Sequence, residues 1–126
     1  MRQLHSSPHQ RKMIAEINEP FKPQLVILDG VEAFVDGGPA TGKRARGEVF
    51  LSSTDRVAID AVGVAILKLL GSNESIMGPK IFEQEQIARA AELGLGAASP
   101  SEIEVAAADE SSQDLRNRAA AILKQG

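Results

Sequence analysis

The chain has 126 residues, 43% of them apolar and 25% charged, which is the composition of one folded globular domain and excludes both extensive disorder and two independent cores. Fourteen basic residues against seventeen acidic ones leave a net charge of -3, with four Phe and neither Tyr nor Trp. That balance offers no field for a phosphate backbone and few rings for stacking bases, so no nucleic-acid partner is expected. Cysteine is absent, which rules out disulfides, a cysteine nucleophile and a cysteine-ligated iron–sulfur cluster within the chain.

Residues 1 to 11 are polar, after which Met13, Ile14 and Ile17 recur at helical spacing and predict a helix from about Pro8 to Asn18. Pro20 and Pro23 end it, since proline lacks a donor and disfavours helical geometry in the residue before it. Leu25 to Leu28 is a continuous apolar run before Asp29 and Gly30 and reads as a buried strand. From Gly30 to Arg46 glycines, Pro39 and a basic end predict a long loop with about one turn of structure at 31 to 35. Residues 47 to 53 return to strand-like composition.

Ser53, Thr54 and Asp55 offer helix-capping chemistry, and residues 57 to 70 are then apolar almost all round, up to Gly71. Such a helix must be covered on several sides, by the sheet and by something further. An amphipathic helix follows at 80 to 93, then an alternating Ile103-Glu104-Val105 that predicts an edge strand. Ser111 with Asp114 resembles a capping box ahead of a terminal helix marked by Leu115, Ala119 and Ile122.

The expected fold is therefore α/β: a small, at least partly parallel sheet of about three strands flanked by helices. Residues 1 to 126 form a single domain, with 107 to 126 as a C-terminal helical extension. No apolar run approaches the roughly 18 residues of a membrane span, so no membrane partner is expected and a cytoplasmic location is the default.

Four motifs bear on function. Gly37 to Lys43 satisfies the G-x-x-x-x-G-K core of a phosphate loop, but Arg44 stands where Ser or Thr would hold magnesium, and strand-like residues follow where a helix is needed. What survives is a glycine-rich turn whose amides, with Lys43, Arg44 and Arg46, would suit an anionic small molecule. Asp60 interrupts an apolar helix and needs a partner; Arg56, one turn earlier, would supply it structurally, whereas Asp29 and Asp55 near strand ends would make it part of a site. His5 and His9 are four apart but separated by Pro8, so they read as structural or surface histidines and no metal site is expected.

Three segments together resemble the domain of unknown function 362 family: P-Q-L-V-I-L-D-G at 23 to 30, G-G-P-A-T-G at 37 to 42 and S-T-D-R-V-A-I-D-A-V at 53 to 62. The likeness runs from about His5 to Val105, including G-L-G at 94 to 96 and I-E-V at 103 to 105, and it covers the later part of the family domain. Asp29, Gly30, Gly38, Pro39, Gly42, Ser53, Asp55 and Asp60 match its pattern, while Arg56 stands where the pattern usually has proline. Some members carry ferredoxin-like iron–sulfur modules, for which this chain lacks the cysteines. The resemblance implies no reaction, and it implies a sheet completed by a missing N-terminal portion or by a second copy.

The candidate ligand-binding residues are Asp29, Gly38, Pro39, Gly42, Lys43, Asp55 and Asp60. Three readings of them compete: a small-molecule or anion-binding accessory domain, part of a metal-dependent or redox-linked enzyme site completed by another segment, or a structural tie between loop and helix. Catalytic residues and cofactor stay open. Convergence of Asp29, Asp55 and Asp60 on one cleft would separate the first two readings from the third.

Overall fold

The computed structural model describes residue 4 and residues 6–38 and 40–125. Helix α1 spans Gln10–Ile17 and is closed by Asn18, whose side-chain amide donates to the Ile14 carbonyl at 2.8 Å. The chain then straightens through Pro20 and Pro23 into strand β1, Val26–Asp36, which pairs antiparallel with β2, Lys43–Ser53. The register runs from Val26 opposite Ser53 to Asp36 opposite Lys43.

The sheet has these two strands and no others among the described residues, so the expectation of a partly parallel, three-stranded sheet is corrected. The long loop expected over residues 30 to 46 is also corrected: it is the distal half of a hairpin whose turn occupies only 37 to 42. Its composition misled because the outward positions Arg44 and Arg46 are charged, while Ala33, Val35 and Ala45 alternate toward the protein and keep the strand period. At the turn Gly37 has φ 72°, and a side chain on Gly42 would run into the Asp36 carbonyl, so both positions require glycine.

Midway along the hairpin the register slips between Gly30 and Glu32. A side chain at Gly47 would meet the Gly30 carbonyl there, and the next residue, Glu48, takes the left-handed conformation at φ 51°. This is a bulge, and it bends the hairpin across the helix beneath it.

That helix is α2, Arg56–Leu70, capped by Asp55 and ended at Gly71 with φ 78°. Val57, Ala61, Val62, Ala65 and Ile66 are buried along it, as its all-round apolar sequence requires, and they form the core with Ile81, Ile87, Ala119 and Leu123. After Gly71 come a short helix α3, Glu74–Met77, a 3-10 turn, Ile81–Glu83, and α4, Glu85–Glu92. Helix α4 packs between α2 and α1, and the terminal helix α5, Gln113–Lys124, packs on the other side of α2.

The helices therefore form one layer in the order α1, α4, α2, α5, with the hairpin lying on α2. Among the described residues nothing covers the outer face of the sheet, and Ile27 and Phe50 are each 66% exposed.

Residues 103 to 105 do not form the expected strand. Ile103 and Val105 pack against the core by their side chains, and the Val105 carbonyl accepts from Arg116 Nε at 2.8 Å, so the segment is a strap between β2 and α5. A cavity of about 210 Å³ lies between it and β2. The start of α5 is also capped differently from the expected pairing of Ser111 with Asp114. Asp109 Oδ1 accepts from the Ser112 amide at 2.9 Å and from the hydroxyls of Ser111 and Ser112 at 2.8 and 2.7 Å, through a 3-10 turn at Glu110–Ser112.

Candidate functional site

Asp55 and Arg56 sit where β2 hands over to α2, and both face inward to neighbouring chain. Asp55 Oδ1 accepts from the amides of Val57 and Ala58 at 2.8 and 2.9 Å, covering two of the four donors left open at a helix start. Its Oδ2 accepts from the Ala97 amide at 2.8 Å, so one carboxylate ties the helix to the loop after α4. A side chain at Gly96 would collide with that carboxylate. The glycine at 96, set apart in the sequence only as part of G-L-G, is thus the complement of Asp55.

Arg56 reaches away from Asp60. Its Nε donates to the Leu95 carbonyl at 3.2 Å and its Nη1 to the carbonyls of Asn18 and Phe21 at 2.6 and 2.7 Å. The planar fork thereby joins the α1 terminus, the approach to β1 and the loop after α4. The one-turn pair of Arg56 with Asp60 that the spacing predicts is not made.

Asp60 is half-buried on the face of α2 turned toward β1 and α4. Removal from water raises its affinity for a proton, and a hydrogen bond from the Gln86 side chain offsets part of that rise. The carboxyl lies at the waist of a groove. On one side a cavity of about 500 Å³ is lined by Arg11, Leu28, Gly30, Gly63 and Gln84; on the other a cavity of about 440 Å³ is lined by Ile14, Val26, Ile27 and Ala90. Asp60, Gln86 and Ile87 border both.

Asp29 also borders the larger cavity, although its side chain is exposed and its Oδ1 accepts from the Val31 amide at 3.0 Å. The structure thus brings Asp29 and Asp60 to one groove and commits Asp55 to capping. Gly38, Gly42 and Lys43 stand at the hairpin turn, while Asp55 follows the opposite end of β2, roughly 30 Å away at the usual rise per residue. The glycine-rich turn and the Asp55 carboxylate therefore share no cleft. Pro39 and His5 lie outside the described residues. Arg44 at the turn pairs with Glu32 at 3.4 Å and lies over the Phe34 ring, and Arg46 pairs with Glu48 at 3.1 Å.

Sequence reasoning missed Gln86 and Gln84. Gln84 is buried and spends its amide on the carbonyls of Ser75 and Ile76 at 3.2 and 3.3 Å, holding the wall of the groove. No local pattern marked them, because their roles depend on α4 and the turn before it packing beside α2. Among the described residues no group of three or more His, Asp or Glu side chains is placed to hold a metal ion, and no helix is long and apolar enough to cross a membrane.

Comparison with known proteins adds one relation. The model of a family described as "Domain of unknown function (DUF362)" matches residues 1–65, which takes in α1, the hairpin and α2 as far as Ala65. The segments at 94 to 96 and 103 to 105 fall outside that match. Neither a curated protein nor a solved structure matches the chain.

Proposed function

Given that the chain belongs to the DUF362 family, whose description names no activity, we propose that it is a ligand-binding accessory domain whose site is the groove between β1 and α4, centred on Asp60. One observation carries this reading. A carboxyl that burial drives toward its protonated form lies at the waist of an apolar groove, with the Gln86 side chain beside it. In its protonated form such a carboxyl donates a hydrogen bond, and in its ionised form it accepts one. The groove therefore suits an apolar ligand that offers an acceptor oxygen, with Asp29 and Arg11 near its mouth.

The anion-binding reading of Gly38, Gly42 and Lys43 becomes a separate, peripheral contact, because the hairpin turn lies far from Asp60. The enzyme reading keeps one point of support: a carboxyl whose hold on its proton is strengthened by burial suits a general acid. Binding is favoured, since an enzyme site would need Asp29, Asp55 and Asp60 together as metal ligands or acid/base groups, and Asp55 is spent on capping α2 and on the Ala97 amide.

The test is an amide-resolved NMR titration with a pool of neutral apolar compounds bearing a carbonyl, repeated with inorganic phosphate. Shifts should concentrate at residues 26–30, 60 and 84–87, and Asp60→Leu should weaken binding by about tenfold, the value of one good hydrogen bond. Perturbation confined to residues 37–43, or no loss in the variant, overturns the proposal.

A further inference from the structure

On the side of the hairpin away from the Asp60 groove, β2 and the strap face each other across a cavity without pairing. β2 makes its ladder with β1 alone, so alternate residues from Val49 to Ser53 turn their backbone N–H and C=O groups away from that ladder. The strap is extended as well. Ile103 has φ -109° and ψ 121°, and Ile103, Val105 and Ala107 are half-buried while the residues between them are exposed. Side chains that alternate in this way leave the backbone groups pointing sideways. Residues 49 to 53 and 103 to 108 line the cavity of about 210 Å³ from its two sides.

The strap's own bonds lead elsewhere than to β2. Ala97, ahead of it, is held by Asp55, its middle is held by Arg116 Nε on the Val105 carbonyl at 2.8 Å, and Asp109, behind it, caps the turn into α5. Ile103 and Val105 pack on the core. Among the described residues no backbone hydrogen bond crosses from the strap to β2, and of the backbone groups of residues 104 to 108 only the Val105 carbonyl has a partner. Two rows of donors and acceptors thus border one cavity, whereas half-buried backbone groups are normally paired. Both walls belong to this chain, one within the segment matched by the family model and one beyond it.

The geometry points to a second binding site in this cavity, for a small neutral amide: a compact molecule with an apolar body and an N–H and C=O side by side, as in a lactam. The site is independent of the Asp60 groove. Size follows from volume, since sites for drug-sized molecules take about 300–1,000 Å³, and this one holds a fragment of such a molecule and no peptide strand. Charge sets neutrality. The charged residues on the lining are Glu104 and Arg116, one of each sign, and Asp109 beyond its end is spent on the Ser112 amide and the hydroxyls of Ser111 and Ser112. The open backbone rows set the polar group, because an adjacent N–H and C=O can donate to one carbonyl and accept from one amide as a neighbouring strand does. Leu51, Val62, Ile66 and Leu115 receive the apolar body.

The experiment is an amide-resolved NMR titration of the whole chain with caprolactam and with N-methylcaprolactam, which keeps the ring and loses the donor. Caprolactam should shift residues 49–53 and 103–108 saturably, and the N-methyl compound should bind more weakly by about the tenfold that a hydrogen bond contributes. Ala107→Leu adds bulk at a half-buried position on the lining and should abolish those shifts. The inference is overturned if neither compound shifts these residues, the result for a cavity that holds water alone, or if both bind equally. Shifts confined to residues 26–30 and 84–87 overturn it too, as does parent-like binding by a folded Ala107→Leu; should that variant not fold, the comparison of the two compounds decides. Hydrogen exchange in the ligand-free chain adds a last check: amides of residues 104–108 as protected as the ladder of β1 and β2 would show the strap paired with β2 and no cavity to fill.

Discussion

Asp60 binds its proton more tightly in the folded chain than in the unfolded one, because burial outweighs the hydrogen bond from Gln86. Between the ordinary aspartate value of 3.8 and the raised one, the folded state holds more protons, so stability falls as pH rises through that interval. Asp60→Asn keeps the shape and removes the titration. Its melting temperature should match the parent at pH 3.5 and exceed it at pH 8, and equal gains at both pH values would show that ionisation plays no part. Asp55→Ala removes a helix cap and the acceptor for the Ala97 amide together. Urea denaturation should show a loss of about 2–3 kcal/mol. Capping by Asp55 was legible from Ser53-Thr54-Asp55 ahead of an apolar run, since it depends on neighbours in sequence. Its bond to Ala97 and the three carbonyls held by Arg56 were not, because they join residues about forty positions apart.

At the scale of elements the hairpin is the informative case. Glu48 is held left-handed at the bulge, a conformation that costs a residue with a side chain about 1–2 kcal/mol. Glu48→Gly relieves it, and allowing for the added freedom of the unfolded glycine the net gain in denaturation should be about 0.5–1 kcal/mol. A loss would mean that the exposed pair of Glu48 with Arg46 contributes more than such pairs usually do. The distal hairpin reads as a loop from its composition, since glycine and like charges usually mark loops. What makes it two strands is pairing: each half satisfies the other's backbone across the turn at 37 to 42. Helix α2 needed no such partner to be recognised, because its length, cap and Gly71 are local.

For the whole molecule, the outer face of the sheet leaves Ile27, Val31 and Phe50 in solvent, with Leu25 exposed just before β1. A patch of this kind favours association. Phe50→Thr, at an exposed position, should change stability by less than about 0.5 kcal/mol, and light scattering should show less self-association at high concentration; unchanged scattering would show that the face is not the sticky one. The sequence by itself determined a central helix in need of cover on several sides, the cap at its start and membership of a family through residues 23 to 62. Those properties follow from composition, local hydrogen-bond chemistry and short-range pattern. Only the tertiary structure decided that the strands are antiparallel, that Arg56 leaves Asp60 to Gln86, and that the polar stretch from Asp29 to Asp60 is divided between a distant turn, a structural cap and a groove. Direction of pairing and the sharing of partners depend on which distant segments meet, and no local pattern encodes that.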